Sequence, residues 1–143
     1  MSDIIAIIPA RSGSKSVASK NIKHLSGHPL IAYSIAAAKL SKKIDRVIVS
    51  TDSIKYAEIA KQYGAEVPFM RPDKYSTDVS TDRGFLIHAM QWFKDNELTL
   101  PEYWVHLRPT TPLRDIKIID NAIDEILMDI SSTSLRSGHK APE

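Results

Sequence analysis

The sequence predicts an α/β protein with a Rossmann-like sheet of mostly parallel strands and helices on both faces. Short apolar runs rich in β-branched residues alternate along the chain with longer segments whose apolar residues recur at helical spacing. The first apolar run, residues 4–8, shows no polar alternation, which is typical of a central parallel strand covered on both faces. Strands joined by helices in this way form parallel sheets with right-handed crossovers.

The first half of the chain is predicted to hold two strands, each followed by a helix. Residues 4–8 form the first strand, and Pro29 precedes an apolar helix, because proline is favoured at the start of a helix. Residues 46–50, with the sequence RVIVS, form the second strand. Asp52 or Ser53 is suited to cap the next helix, since either side chain can accept a bond from a free backbone N–H group. The apolar stripe of that helix contains Ile54, Ala57 and Ala60.

The second half continues the alternation. Residues 66–71, EVPFMR, are a candidate third strand, which Pro68 places at a sheet edge or makes irregular. Residues 72–80 are polar and are predicted to be a loop. Residues 103–107 form a fourth strand, and residues 132–137 are predicted to begin a fifth. Two helices complete this half: one carries Phe85, Leu86, Ala89, Met90 and Phe93, and the other, capped by Asp115, carries Ile116, Ile119, Ile123, Ile126 and Leu127.

The composition is that of an ordinary globular domain. The chain has 143 residues, 43% hydrophobic and 25% charged, and its 19 basic and 17 acidic residues give a formal net charge of +2. This balance indicates neither a nucleic-acid nor a membrane partner, and we expect neither. Cysteine is absent, which excludes disulfides and thiolate metal sites, and the five histidines lack the spacing of metal ligands, so no metal-binding side chains are predicted. We expect one cytoplasmic domain over residues 1–143.

Three unusual loops are predicted to meet at the carboxyl edge of the sheet, where ligands of such sheets bind. One loop follows the first strand, a second covers residues 71–82, and the third, with the sequence RPTTPLR, follows the fourth strand. In the first loop Gly13 and its neighbouring serines let the backbone approach a ligand, so that N–H groups could bind an anion. Arg11 offers a forked grip on phosphate oxygens, and Lys15 and Lys20 offer point charges. Together these residues suit a polyphosphate.

Other interpretations of these loops stay open on the residues alone. The first loop matches neither the Walker motif G-x-x-x-x-G-K-[ST] nor the dinucleotide motif G-x-G-x-x-G, and it could be a solvated basic turn. Ser80, Thr81 and Asp82 could simply cap the helix that follows them.

Five segments in order resemble the acylneuraminate cytidylyltransferases, also called CMP-sialic acid synthetases. They are IPARSGSKSVASKN, HPLIAYSIAAA, IVSTDS, RPDKYSTDVSTD and LRPTTPLRD. The resemblance covers nearly the whole chain and the N-terminal part of the family. It implies the fold of the nucleotide-diphospho-sugar transferases. It also implies transfer of CMP from CTP to the anomeric hydroxyl of a sialic acid or related nonulosonic acid, with release of pyrophosphate.

The resemblance implies roles for individual residues. The phosphates and ribose of CTP would be held by Arg11, Ser14, Lys15, Lys20 and Asn21. Lys20, nearest the reacting phosphate, and Arg11 are the catalytic candidates. Arg71, Ser80 and Thr81 fall in the segment that contacts cytidine, where Asp78 would orient the loop. Arg108, Thr110 and Thr111 fall in the sugar-side loop.

Arg108 departs from the family, whose sialic acid enzymes commonly carry glutamine at this position. An arginine could pair with the carboxylate of the sugar or with a different acyl substituent, so legionaminic-type and other bacterial nonulosonic acids are alternatives. The residues alone also allow Arg108 and Arg114 to be surface residues that flank a proline turn.

The resemblance also implies Mg2+ as a cofactor. In the family, paired aspartates beyond the part matched here are thought to bind Mg2+ together with CTP, but this sequence contains no D-x-D pair. We therefore expect a truncated member that lacks the usual carboxylate ligands and forms a homo-oligomer to cover its exposed sheet edge. The alternatives are an inactive nucleotide-binding fragment or module, and a related sugar cytidylyltransferase such as a CMP-KDO synthetase.

Overall fold

The computed structural model describes residues 3–14, 16–138 and 140–142. The strands are β1 (Ile4–Pro9), β2 (His24–Leu25), β3 (His28–Pro29), β4 (Arg46–Ser50) and β5 (Tyr103–His106), and the helices are α1 (Leu30–Leu40), α2 (Ile54–Gln62), α3 (Asp82–Asn96) and α4 (Ile116–Met128). β4, β1 and β5 form a parallel sheet in that order, with Ala6 beside Val47 on one side and Val105 on the other. β2 and β3 form a short antiparallel hairpin.

Helices cover both faces of the sheet, which confirms the fold class predicted from the sequence. Ala6 and Ile8 of β1 belong to a core shared with α1 and α2, and Ile5 and Ile7 belong to a second core shared with α3. All four side chains are at most 2% exposed. Burial of a large apolar side chain contributes roughly 1.5–3 kcal/mol, so the central strand contributes to both cores. The uninterrupted apolar run therefore reflects a strand that is buried on both faces.

Capping side chains fix where two of the helices begin. Ser53 Oγ accepts a bond from Tyr56 N at the start of α2, and Asp115 accepts one from Lys117 N at the start of α4, as the sequence predicted. Gly64 follows α2 with a φ of 93°, a conformation that glycine adopts without strain. Asp52 does not cap α2 and has a different role, described below.

Two of the predicted strands are wrong. Within residues 66–71 only Glu66 exchanges backbone hydrogen bonds with β4, and Pro68 has no N–H group with which to continue the ladder. Residues 132–137 form no strand; Ser131 and Ser132 instead donate side-chain bonds to Asp129 in a turn.

One predicted helix face differs from the structure, and a second is only partly buried. Ile54 is 72% exposed, because α2 buries Tyr56, Ala57 and Ala60 instead. The predicted stripe of α4 does face inward, but Ile123 alone of that helix is buried. In the described part of the chain, no helix has the length and apolarity needed to cross a membrane.

At the amino end of the sheet, Arg46 forms ion pairs with Glu66 and Glu97. Arg46 lies 2.8 Å from a carboxylate oxygen of Glu66 and 2.8 Å from one of Glu97. The bond from Arg46 holds the pKa of Glu66 below its ordinary value. A cavity of about 100 Å³ adjoins Arg46 and Glu97. Because Arg46 is the only cation among the described residues that line it and is already paired, this cavity does not favour an anion.

Candidate functional site

A cleft of about 280 Å³ lies at the carboxyl edge of the sheet, where the three unusual loops meet. We call it the carboxyl-edge cleft. It is lined by nine of the residues predicted from the sequence: Arg11, Ser14, Lys20, Asn21, Arg71, Ser80, Thr81, Arg108 and Thr110. Thr111 is exposed and does not line the cleft, although its N–H group donates to Arg108 O at 3.2 Å. Lys15 lies outside the described residues.

Two contacts shape the loop that follows β1 and contains Arg11, which we call the opening loop. Arg11 Nη1 donates to Asp78 Oδ1 at 2.8 Å and so joins this loop to the loop of residues 71–82. Asn21 is buried, and its Nδ2 donates to Arg11 O at 3.0 Å. Asn21 therefore fixes the backbone of the loop as well as lining the cleft, and Asp78 orients the second loop, as expected from the sequence.

Asp52 binds the opening loop from behind. Its Oδ1 accepts from Ser12 N at 2.7 Å and its Oδ2 accepts from Ser12 Oγ at 2.8 Å. Tyr56 OH donates to Ser12 O at 3.4 Å. From the sequence either Asp52 or Ser53 was expected to cap α2; Ser53 does so, and Asp52 binds the loop instead. Its position just after β4, at the same sheet edge as the opening loop, was the available signal for this role.

Lys20 supplies an uncompensated charge to the cleft. It begins a short 3-10 turn, Lys20–Ile22, directly after Ser19, which has the left-handed φ of 51°. Its side chain is half-buried and forms no ion pair with any residue that the structure describes. A cation placed in this way is available to an anionic ligand.

Arg71 is a buried guanidinium at the floor of the cleft. It is 5% exposed; its Nε donates to Ser50 Oγ at 3.0 Å, its Nη2 to Ser50 O at 2.7 Å and its Nη1 to Tyr75 O at 3.4 Å. The guanidinium carbon also lies 4.9 Å from the centre of the Phe85 ring. Burial lowers the pKa of Arg71 to about 10, and the Asp52 carboxylate acts in the opposite direction. The side chain is still protonated at neutral pH.

In the loop before α3, the Ser80 hydroxyl bonds to the loop itself, whereas the Thr81 hydroxyl does not cap the helix. Ser80 Oγ donates to Lys74 O at 3.1 Å and contacts Thr77 Oγ1 at 2.8 Å, so this hydroxyl stabilises the loop. Thr81 occupies the position before α3, but its side chain makes no capping bond. Asp82 forms an ion pair with Arg108. Capping of α3 therefore does not account for the hydroxyl of Thr81.

The loop after β5 is held by Arg114. Its Nη1 donates to Ser34 Oγ at 2.8 Å on α1, and its Nη2 donates to Arg108 O at 2.7 Å. Burial lowers the pKa of Arg114. Arg114 is thus a half-buried side chain that holds the loop to α1, not only a surface residue flanking a turn. The side chain of Arg108, by contrast, is 57% exposed beside Asp82.

The described lining of the cleft has an excess of positive charge. Of the residues that the structure describes, four cations line it, Arg11, Lys20, Arg71 and Arg108, against the carboxylates of Asp78 and Asp82. Each of these carboxylates is paired with an arginine. Among the described residues there is no group of three or more side chains that could hold a metal ion. The arrangement suits a polyanion that extends from Lys20 towards Arg71.

Comparisons with known proteins agree with this chemistry. A family model described as cytidylyltransferase matches residues 5–137. The chain is 43% identical over 120 residues to the N-acylneuraminate cytidylyltransferase of Escherichia coli O18:K1:H7, covering 84% of this chain and 27% of that protein. It is 40% identical over 127 residues to the CMP-N,N'-diacetyllegionaminic acid synthase of Legionella pneumophila, covering 85% of this chain and 52% of that protein.

A solved structure shares the fold. The CMP:2-keto-3-deoxy-manno-octonic acid synthetase complexed with CTP matches with a TM-score of 0.76 at 18% identity, covering 91% of this chain and 49% of that one. The chain thus spans about a quarter to a half of the length of the relatives it matches.

Proposed function

The chain belongs to the cytidylyltransferase family, and from this premise we propose that it binds CTP in the carboxyl-edge cleft and transfers CMP to a nonulosonic acid. The observation that carries the proposal is the convergence of two loops on one cleft: the loop after β1 supplies Arg11 and Lys20, and the loop of residues 71–82 supplies Arg71. Lys20 in particular has no counter-ion within the described ranges. A nucleoside triphosphate supplies the negative charge that such a set favours.

In the proposed reaction the anomeric hydroxyl of the sugar attacks the α-phosphorus of CTP. A new P–O bond forms to the sugar, the bond to the β-phosphate oxygen breaks, pyrophosphate leaves and the hydroxyl proton is lost. Lys20 and Arg11 are the proposed catalytic residues, because cations at the phosphates stabilise the charge that develops during transfer. Ser14, Asn21 and, as a prediction from the sequence, Lys15 would help to hold the phosphates and ribose.

The remaining residues predicted from the sequence are assigned to the two ends of the substrate pair. Arg71, Ser80 and Thr81 are proposed to contact the cytidine end, where hydroxyl and guanidinium groups can bond the edge of a pyrimidine. Arg108, Thr110 and Thr111 are proposed to face the sugar. The carboxylate of a nonulosonic acid could replace Asp82 as the partner of Arg108, which offers donors that an amide side chain lacks.

The described residues do not fit a Mg2+ site. The only carboxylates that line the cleft in the described part of the chain, Asp78 and Asp82, are both committed to arginines. Mg2+ prefers several oxygen ligands in octahedral geometry, usually a carboxylate or two together with phosphates and water. Mg2+ therefore stays a prediction from the resemblance, and the roles proposed here rest on the protein's own cations.

Calorimetry with CTP tests the proposal directly. The wild-type chain should bind CTP, and Lys20→Met should weaken binding by about tenfold or more, since a hydrogen bond to a charged group contributes about 1.5–3 kcal/mol. Lys23→Met is the matched control, because Lys23 is exposed three positions away and does not line the cleft. Absence of CTP binding by the wild type, or equal losses in both variants, would refute the proposed site.

Pyrophosphate release tests the transfer step and the sugar. The chain is incubated with CTP, Mg2+ and, in separate reactions, N-acetylneuraminic acid, diacetyllegionaminic acid and KDO. Release with either nonulosonic acid supports the proposal, and preference for KDO would instead favour a CMP-KDO synthetase. Binding of CTP without release under any condition would identify a nucleotide-binding module without transferase activity.

We also propose that residues 1–143 act as one nucleotidyltransferase-like domain in a cytoplasmic homo-oligomer. Three apolar side chains on or after α4 support association: Ile118, Met128 and Ile130 are 59%, 86% and 99% exposed. The absence of cysteine is compatible with a reducing compartment. Light scattering coupled to size exclusion should show a mass above 16.0 kDa that falls on dilution. A monomer at every concentration would contradict the proposal.

A further inference from the structure

The end of β4 and the two residues after it lie behind the carboxyl-edge cleft. Residues 50–52 are absent from its described lining, yet they bond to two of its walls. We infer that Asp52 and Ser50 are positioning residues: Asp52 sets the opening loop, and Ser50 sets the guanidinium of Arg71. The inference rests on the proposed use of the cleft as a CTP site.

Asp52 fixes the opening loop at Ser12, which lies between two residues that line the cleft, Arg11 and Gly13. Both the backbone N–H group and the hydroxyl of Ser12 donate to the Asp52 carboxylate, at 2.7 and 2.8 Å. Two bonds to one carboxylate restrict both the position and the orientation of the peptide. Because Asp52 lies two residues after β4, it transmits the rigidity of the sheet to a loop whose described residues before Lys20 form neither helix nor strand.

Ser50 fixes the orientation of Arg71. The serine is completely buried, and both its hydroxyl and its carbonyl accept bonds from the guanidinium. Ser50 O also accepts from Ala10 N at 2.9 Å, and Thr51 O accepts from Arg71 N at 2.8 Å, so β1, β4 and the loop of residues 71–82 are joined at one point. Substrate contact by Arg71 thus depends on a hydroxyl that itself stays away from the ligand.

The geometry leaves donors of Arg71 for a ligand. A guanidinium has five N–H donors. Three are used within the described residues, by Ser50 Oγ, Ser50 O and Tyr75 O. The bonds to Ser50 use the Nε and Nη2 edge, so the donors left over are one on Nη2 and one on Nη1. Loss of the Ser50 hydroxyl would let the guanidinium turn away from this orientation.

Three variants and a matched control test the inference, with CTP affinity measured by calorimetry and amide hydrogen exchange measured for the loop of residues 11–14. Asp52→Ala should weaken CTP binding by about tenfold and speed exchange in the loop, and Ser50→Ala should weaken CTP binding by about tenfold without that change in exchange. Asp52→Asn should recover part of the affinity, because its amide can still accept from Ser12 N and donate to Ser12 Oγ. Asp45→Ala is the control: Asp45 accepts from Ile4 N at 2.8 Å at the opposite end of the sheet, so CTP affinity should not change.

The two readouts separate this inference from the proposed function. If the wild type fails to bind CTP while Asp52→Ala still loosens the loop, the proposed function fails and the positioning role of Asp52 stands. If the wild type binds CTP and the folded Asp52 and Ser50 variants bind it equally well, the inference is overturned. If Asp52→Ala does not fold, Asp52→Asn decides: weakened affinity together with faster exchange in the loop supports the positioning role, and weakened affinity with wild-type exchange overturns it in favour of a charge effect.

Discussion

Replacement of Arg71 by methionine tests what this buried guanidinium contributes to stability and to ligand binding. The side chain is 5% exposed and forms no ion pair within the described part of the chain. Burial lowers its pKa to about 10, which corresponds to about 3 kcal/mol against the charged form. Methionine removes that cost but also removes three hydrogen bonds that the charged guanidinium makes to Ser50 and Tyr75, each contributing about 1.5–3 kcal/mol. The lost bonds outweigh the recovered cost, so the free energy of unfolding should fall by roughly 2 kcal/mol or more.

CTP binding should fall as well. Arg71→Met removes both the charge and the donors that face the cleft, so affinity measured by calorimetry should fall by about tenfold or more. Urea unfolding, followed by the fluorescence of Trp92 and Trp104, gives the stability of the same preparation. Arg71→Lys is the comparison that keeps a charge without the forked donors. An unchanged free energy of unfolding, or an unchanged affinity for CTP, would refute the reasoning.

Three further perturbations test other parts of the molecule. Burial lowers the pKa of His88 and of His106. Below about pH 6.5 the unfolded chain therefore binds protons that the folded chain does not, so the free energy of unfolding should fall on acidification. His106→Gln should reduce this dependence on pH, measured by urea titrations at several pH values. In Gly84→Ala the new Cβ would lie 2.8 Å from Tyr75 Cδ1, so the Tyr75 ring, which lines the cleft, must move. The affinity for CTP measured by calorimetry should therefore fall. An unaltered affinity would show that CTP binding does not need the position of this ring. Arg46→Met removes both ion pairs at the amino end and should lower the free energy of unfolding by about 1 kcal/mol while leaving CTP affinity unchanged.

The secondary structure was predictable wherever the pattern of burial is local. β1 is apolar throughout because both its faces are covered, and the segment RVIVS matches β4 from Arg46 to Ser50. Residues 66–71 also have the composition of a strand, but one missing N–H group at Pro68 limits their pairing to Glu66. The stripe of α2 was misplaced because the aromatic ring of Tyr56 takes the buried position that spacing alone assigned to Ile54.

Convergence of the three loops could be predicted, because the carboxyl ends of parallel strands share one edge. Individual partners could not be predicted in the same way. Ser12 and Asp52 are 40 residues apart, and Ser34 and Arg114 are 80 apart, so no local spacing identifies either contact. These roles depend on the folded arrangement, which places side chains behind the cleft as well as in it.

The order of strands in the sheet has a consequence for biosynthesis. β1 is synthesised first and lies in the centre, but its partner β5 begins at Tyr103, about 100 residues later. At a synthesis rate of 5–20 residues per second, one edge of this very apolar strand stays open for roughly 5–20 seconds. During that interval nascent chains on one messenger could pair through the same open edge. A chaperone that shields the segment IIAII should therefore raise the yield of native protein during translation.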